Sequence, residues 1–197
     1  SLLRHMIQHR PRFKVMLAGS HPLSEFDRWA GYLINVQVIK IAYLDAAEVS
    51  QLVERPIKNF ALRYRPEASQ RVQQLTRGHP ALVQLLCYEL VTLKNEQEAS
   101  LRRLAQPADV EAAAARALKS GSFFFTDIAQ NQVAAAGSAL LRTIAAGGEG
   151  AVVSRETLRQ QCGQTPGDFD QTVRDLLERD LIEASNGGYR FQVELIR

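Results

Sequence analysis

Between Thr76 and Leu93 the apolar positions fall into a clear helical rhythm. Leu82, Leu85, Leu86, Glu89, Leu90 and Leu93 follow i, i+3, i+4 spacing, and Val83, Cys87 and Val91 widen the apolar arc until little of the surface is left for water. The spacing predicts a core helix from Pro80 to about Lys94. A second helix is expected just before it, opened by Pro66-Glu67-Ala68 and holding Val72 and Leu75. Gly78-His79-Pro80 separates the two. Gly78 can take the left-handed conformation that ends a helix, and Pro80 has no backbone donor to lose and a φ already set for a first helical turn. The expectation is helix, sharp turn, helix.

Upstream, Leu2, Leu3, Met6 and Ile7 sit at helical spacing until Pro11, and Phe13 to Ala18 is a short apolar run closed by Gly19, which reads as a buried strand. Phe26, Trp29 and Leu33 line one side of a segment from Ser24 to Ile34, with Ser24 and Asp27 at capping-box spacing. Val36, Val38, Ile39, Ile41 and Tyr43 make the next β-rich run, after which Asp45 is placed to cap a helix from Ala46 to Val53. Phe60 to Tyr64 is short and extended, and Asn95 to Arg103 reads as a solvated link. Asp109 to Leu118 is an alanine-rich helix of high intrinsic propensity ending near Gly121.

The last part of the chain has a different grammar. Phe123-Phe124-Phe125 is the densest aromatic patch and is expected to tuck its three rings against neighbouring units. An apolar helix through Val133, Leu140, Leu141 and Ile144 is broken by Gly147 to Gly150, and Val152-Val153 suggests a short strand. Ser154 can cap a helix to Cys162, and a third helix runs from Pro166 to Arg179 with Phe169, Val173, Leu176 and Leu177 on one face. Leu181 to Ala184 and Tyr189 to Leu195 then alternate as hairpin strands about Asn186-Gly187, the dipeptide that supplies positive φ. Three helices followed by a hairpin spell a winged helix.

The Gly78-His79-Pro80 elbow, with a strand-like run ending at Ala18-Gly19-Ser20-His21-Pro22 and the junction Ile41 to Glu48 before it, resembles the Gly-x-Pro elbow in the helical lid of STAND and AAA+ type P-loop ATPases. The resemblance covers essentially the whole chain. It implies a mainly α fold with short β elements in three parts: residues 1–44 as a remnant of an α/β P-loop ATPase core, 45–121 as an all-α lid, and 122–197 as a linker and winged-helix domain. It also implies that Gly78, His79 and Pro80 place a helix start beside the adenine of a nucleotide. Ser20 and His21 occupy the strand end where a sensor stands, although Ser20 is equally suited to cap the helix beginning near Leu23. Arg28 could act as an arginine finger or be a solvated charge beside Glu25 and Asp27.

Absent motifs qualify this reading. A phosphate-cradling loop needs Gly-Lys followed by Ser or Thr, and the chain holds no Gly-Lys pair and no strand ending in paired acids for magnesium. The expectation is a carboxyl-terminal, nucleotide-sensing fragment of a STAND-like signalling ATPase, not catalytic alone. ATP or ADP with Mg would belong to the full-length parent, with none tightly bound to this fragment. Its partners would be the missing ATPase core and other proteins. His5, His9, His21 and His79 lack ligand or nucleophile motifs, and Cys87 and Cys162 make no disulfide framework. No apolar run approaches the ~20 residues of a membrane span, and the first residues lack a signal peptide's apolar core, so a cytoplasmic location with no membrane partner is expected.

Charge separates two functional classes. The net charge is +3, but from Ser154 onward six arginines face eight acids, giving −2, while the rest of the chain carries 18 basic and 13 acidic residues, giving +5. The alternative, a DNA-binding winged helix of an origin-binding-like AAA+ ATPase, needs a basic third helix. Here Asp168, Asp170, Asp175, Glu178 and Asp180 outnumber Arg174 and Arg179, so DNA is an unfavoured partner.

Overall fold

A computed structural model describes residues 41–128 and 133–197, together with a few isolated positions before residue 41. Two compact units are present, Ser1–Ile41 and Ala42–Arg197. In the first, His5 and His9 are helical, one turn apart, with ring centroids 4.7 Å from each other. Of the buried strand expected at Phe13 to Ala18 only Met16 is described, and it is exposed and in no strand. The helix from Ser24 to Ile34, and Ser20, His21 and Arg28, lie outside the described residues.

The second unit is mainly helical with a few short strands, and it is built around two apolar clusters. The first cluster gathers α1 (Ala46–Glu54), α2 (Pro66–Thr76), α3 (Pro80–Glu96) and α4 (Pro107–Ser120). Asp45 starts α1 with a reciprocal capping box: its carboxylate accepts from the Glu48 amide at 2.8 Å, and the Glu48 carboxylate accepts from the Asp45 amide at 2.9 Å. Helix α3 is the centre expected from its spacing, with Leu82, Val83, Leu86 and Leu90 all but solvent-free. Helix α4 packs along it through Val110, Ala113, Ala114 and Ala117, small side chains that let the two backbones approach.

The solvated link expected from Asn95 to Arg103 is exposed over residues 98–103 but starts later than expected. Helix α3 continues through Glu96, and the chain then makes a two-residue strand β2 (Leu104–Ala105) that pairs in parallel with β1 (Arg63–Tyr64). Lys94 is buried, and its ammonium donates to Asp109 at 3.0 Å. Asp109 also accepts from Gln97 Nε2 at 3.0 Å and from the Gln106 amide at 2.8 Å. A buried charge survives only when paired and hydrogen-bonded, and this one ties the end of α3 to the start of α4.

The second cluster holds α6 (Ala135–Ala146), α7 (Arg155–Cys162) and α8 (Pro166–Glu178) against a three-stranded antiparallel sheet. Its strands β3 (Val153–Ser154), β4 (Ile182–Ser185) and β5 (Gly188–Phe191) lie in the order β3-β5-β4. Leu140, Ile144, Leu158, Phe169, Val173, Leu176, Ile182 and Phe191 fill the interior. Ser154 caps α7 by accepting from the Thr157 amide at 3.1 Å. The β4-β5 turn has positive φ at both Asn186 and Gly187, 45° and 78°, as a two-residue hairpin matched to strand twist requires.

Three expectations are corrected here. The phenylalanine run does not tuck in all its rings: it forms the short helix α5 (Ser122–Asp127), with Phe124 and Phe125 half-buried against the first cluster and Phe123 91% exposed. Successive helical side chains are turned about 100° apart, so three in a row cannot share one face. Val133 precedes α6 and packs on the second cluster from outside the helix. The last strand stops at Phe191, and residues 194–196 form a 3-10 turn, because Val193 and Leu195 are drawn into the first cluster instead of continuing along the sheet. Phe124 and Ile196 touch both clusters. Among the described residues, no helix is long and apolar enough to cross a membrane.

Candidate functional site

Gly78 is fixed by the backbone of a distant segment. Its φ is +80°, following Arg77 at +48°, so two left-handed residues end α2. The Leu44 amide donates to the Gly78 carbonyl at 2.9 Å, and a Cβ on Gly78 would stand 2.1 Å from the Leu44 carbonyl oxygen. Only glycine permits that approach. His79 then occupies the position before α3, its amide donating to the Thr76 carbonyl at 2.9 Å, and Pro80 opens the helix as its spacing predicts. Residues 41–45 form neither helix nor a paired strand among the described residues: Leu44 uses its backbone on the elbow, and Asp45 caps α1.

Aromatic rings flank one side of the elbow. The His79 ring lies 5.1 Å from Tyr43 and 5.9 Å from Phe124, the latter edge-on, and Phe124 meets Phe125 at 5.4 Å. His79 does not cap α3, and its Nδ1 is shut from solvent with no hydrogen-bond partner in another residue. Burial pulls the imidazole below its ordinary pKa, outweighing the residue's own backbone and the Asp180 carboxylate, which act the other way. Burial, helped by Asp180, pushes the Tyr43 hydroxyl up to about 12. Both groups are therefore neutral near pH 7.

A polar depression borders Leu44 as well. Leu44, Gln70, Gln73, Gln74 and Arg77 line an open depression of about 340 Å³. The four polar residues are spaced i, i+3, i+4, i+7, so one face of α2 presents three carboxamides and a guanidinium beside Gly78. Arg77 is shared with the second cluster: its Nη1 is 3.6 Å from Glu183, which also accepts from Arg190 at 2.6 Å. The carboxamides and guanidinium offer hydrogen-bond donors and acceptors to a polar ligand or peptide segment, while the aromatic rings at His79 do not line this depression. No group of three or more His, Cys, Asp or Glu positioned for a metal exists among the described residues. Cys87 is a packing residue, its thiol pushed up to about 11 by burial, with a hydrogen bond to Tyr64 acting the other way.

The structure thus brings Gly78, His79 and Pro80 together at one elbow, while Ser20, His21 and Arg28 lie outside the described residues. Tyr43, Phe124 and Asp180 were not singled out from the sequence as neighbours of His79. They arrive from three separate segments, and no local spacing joins them. The periodic Gln70, Gln73, Gln74 and Arg77 face of α2 was legible and went unused. No family model matches the sequence, and a search among curated proteins returns no match.

The depressed imidazole gives a pH test. A histidine with a lowered folded-state pKa binds fewer protons folded than unfolded, so its contribution to stability is fully present above the unfolded value of about 6.5 and falls as the pH drops through and below it. Denaturant midpoints measured at about pH 5 and about pH 8 should differ less in His79→Gln than in the unaltered protein. Equal differences would mean that His79 does not titrate on unfolding in this window.

Proposed function

We propose that this chain is the nucleotide-sensing lid and winged-helix portion of a STAND-type signalling ATPase, working with a P-loop core that supplies the phosphate and magnesium contacts. The observation that carries the reading is the seating of Gly78 on the Leu44 backbone with Pro80 opening α3, which fixes a helix start, two aromatic rings and a polar groove in one place. An adenine ring could lie against such an elbow, with His79 or Tyr43 as its stacking partner. The order α6-β3-α7-α8-β4-β5, with β3 paired to β5, is the arrangement that a winged helix takes. A cytoplasmic setting is part of the same proposal.

The winged unit is better suited to protein contacts than to duplex DNA. The exposed face of α8 carries Asp168, Asp175 and Glu178 against Arg174, and Arg155, on the neighbouring helix, is already paired with Asp170. Affinity for DNA comes largely from phosphate neutralisation, which this face opposes. The expected partners are the P-loop core and other segments of the parent protein.

Equilibrium titrations test the proposal. The chain alone should show neither ATP hydrolysis nor saturation by MgATP in the micromolar range, and no low-salt gel shift of duplex DNA. A polypeptide carrying the P-loop core should bind ATP and lose affinity on His79→Ala. Micromolar MgATP binding by the chain alone, or tight salt-sensitive DNA binding, would overturn it. An unchanged ATP affinity in the His79→Ala parent would remove the elbow from the nucleotide site.

A further inference from the structure

The final residues cross from the sheet to the helical cluster. Val193 is fully buried and Leu195 is 5% exposed, both in the first cluster, although the strand that leads to them belongs to the second. The 3-10 turn Glu194–Ile196 packs on α2, and Ile196 touches both clusters. Glu194, also buried, accepts from the Gly150 amide at 3.0 Å through Oε1, and its Oε2 lies 3.6 Å from Arg197. Gly150 follows Glu149, which the Arg71 guanidinium of α2 grips at both carboxylate oxygens, one of them at 2.8 Å. Arg71 also donates to Glu111 of α4 at 2.5 Å. Glu111, Arg71, Glu149, the Gly150 amide and Glu194 thus form a continuous polar path from the helical cluster through the α6-β3 loop to the final turn. Arg71 and, more weakly, Arg197 hold the Glu149 carboxyl below its ordinary range.

We propose that Val193–Arg197 is a strap that clasps the winged unit to the helical unit, and that the Arg71–Glu149 contact is its lock. This inference is independent of any nucleotide. The strap is short: three apolar side chains hold it, and the charges around Glu149 adjust how firmly it closes. Glu149 and Glu111 remain 40% and 55% exposed, within reach of solvent ions, so salt weakens the lock while the two apolar clusters stay intact. The strap therefore opens before either cluster unfolds, leaving Phe124 and the Arg77–Glu183 pair as contacts between the winged unit and the lid.

Hydrogen exchange followed by mass spectrometry on the whole chain tests this at low salt and at ~1 M salt, where the screening length is only about 3 Å. Amides of residues 147–151, 192–197 and the strap-facing side of α2 should exchange at least several-fold faster at high salt, while α7 and α8 keep their protection. Leu195→Asp should produce the same pattern at low salt. Because that change could disturb folding, Glu149→Gln provides a milder variant, which should abolish most of the salt response without altering the circular dichroism. Salt-independent exchange in those segments, or Glu149→Gln retaining the full response, would overturn the lock. Acceleration spread evenly through both clusters would overturn the strap as a separate opening unit.

Discussion

Gly78→Ala should destabilise the protein by roughly 3 kcal/mol or more, because two independent costs meet at one position. A left-handed φ of +80° penalises any Cβ, and here that Cβ would also stand 2.1 Å from the Leu44 carbonyl oxygen. The colliding atom is backbone, so it cannot swing away as a side chain would. Moving it breaks the Leu44 to Gly78 hydrogen bond and disturbs Asp45, the cap of α1, one residue on. For a chain of this length the loss corresponds to a fall in Tm of roughly 6–12 °C. Gly163→Ala is the matched control, with φ at +60° and no atom within 4 Å of the added carbon, so it bears the conformational cost without the collision. Its loss should be about 1 kcal/mol. Thermal melts of the two variants decide the matter, and similar melting temperatures would mean that the Leu44 contact is not what makes glycine necessary.

The same elbow shows where reading a sequence succeeds and where it stops. Gly78 and Pro80 announce their roles locally, since a left-handed helix end and a proline first turn are properties of single residues. The cap at Asp45, the Asn186-Gly187 turn and the periodic faces of α3 and α8 were legible for the same reason. Leu44 could not be found that way, because its contact with Gly78 spans 34 positions and involves only backbone atoms, which every residue carries. The parallel pairing of β1 with β2 is two residues long and leaves no alternation to detect. Val193 and Leu195 misled for a subtler reason. Their alternation with Gln192 and Glu194 fits a strand, yet the same alternation lets two apolar side chains enter a different cluster while Glu194 reaches the Gly150 amide. His79 is the intermediate case: its place before α3 followed from sequence, but its surroundings of Tyr43, Phe124 and Asp180 are set by tertiary structure.

Phe169→Ala should cost about 4 kcal/mol, within the usual range for emptying a fully buried aromatic site. Phe169 is the largest fully solvent-free side chain of the second cluster, projecting from the first turn of α8 into the space shared with Leu140, Leu158, Val173 and Leu176. Those neighbours belong to α6, α7 and α8, all held by the sheet, so they cannot all collapse inward and a void remains. The Arg155 guanidinium lies 5.5 Å from the ring centroid, but it is exposed and also paired with Asp170, so Arg155→Ala should change stability little. The consequence for the first cluster is the sharper test. Phe124 and Ile196 are common to both clusters, and Val193 and Leu195 carry the end of the chain from one to the other, so the clusters are mechanically joined. Under conditions that keep the strap closed, Phe169→Ala should lower a single transition seen alike by circular dichroism and by exchange of α3 amides. Two separated transitions at low salt, with α3 unaffected, would mean that the clusters are independent domains and that the final residues do not couple them.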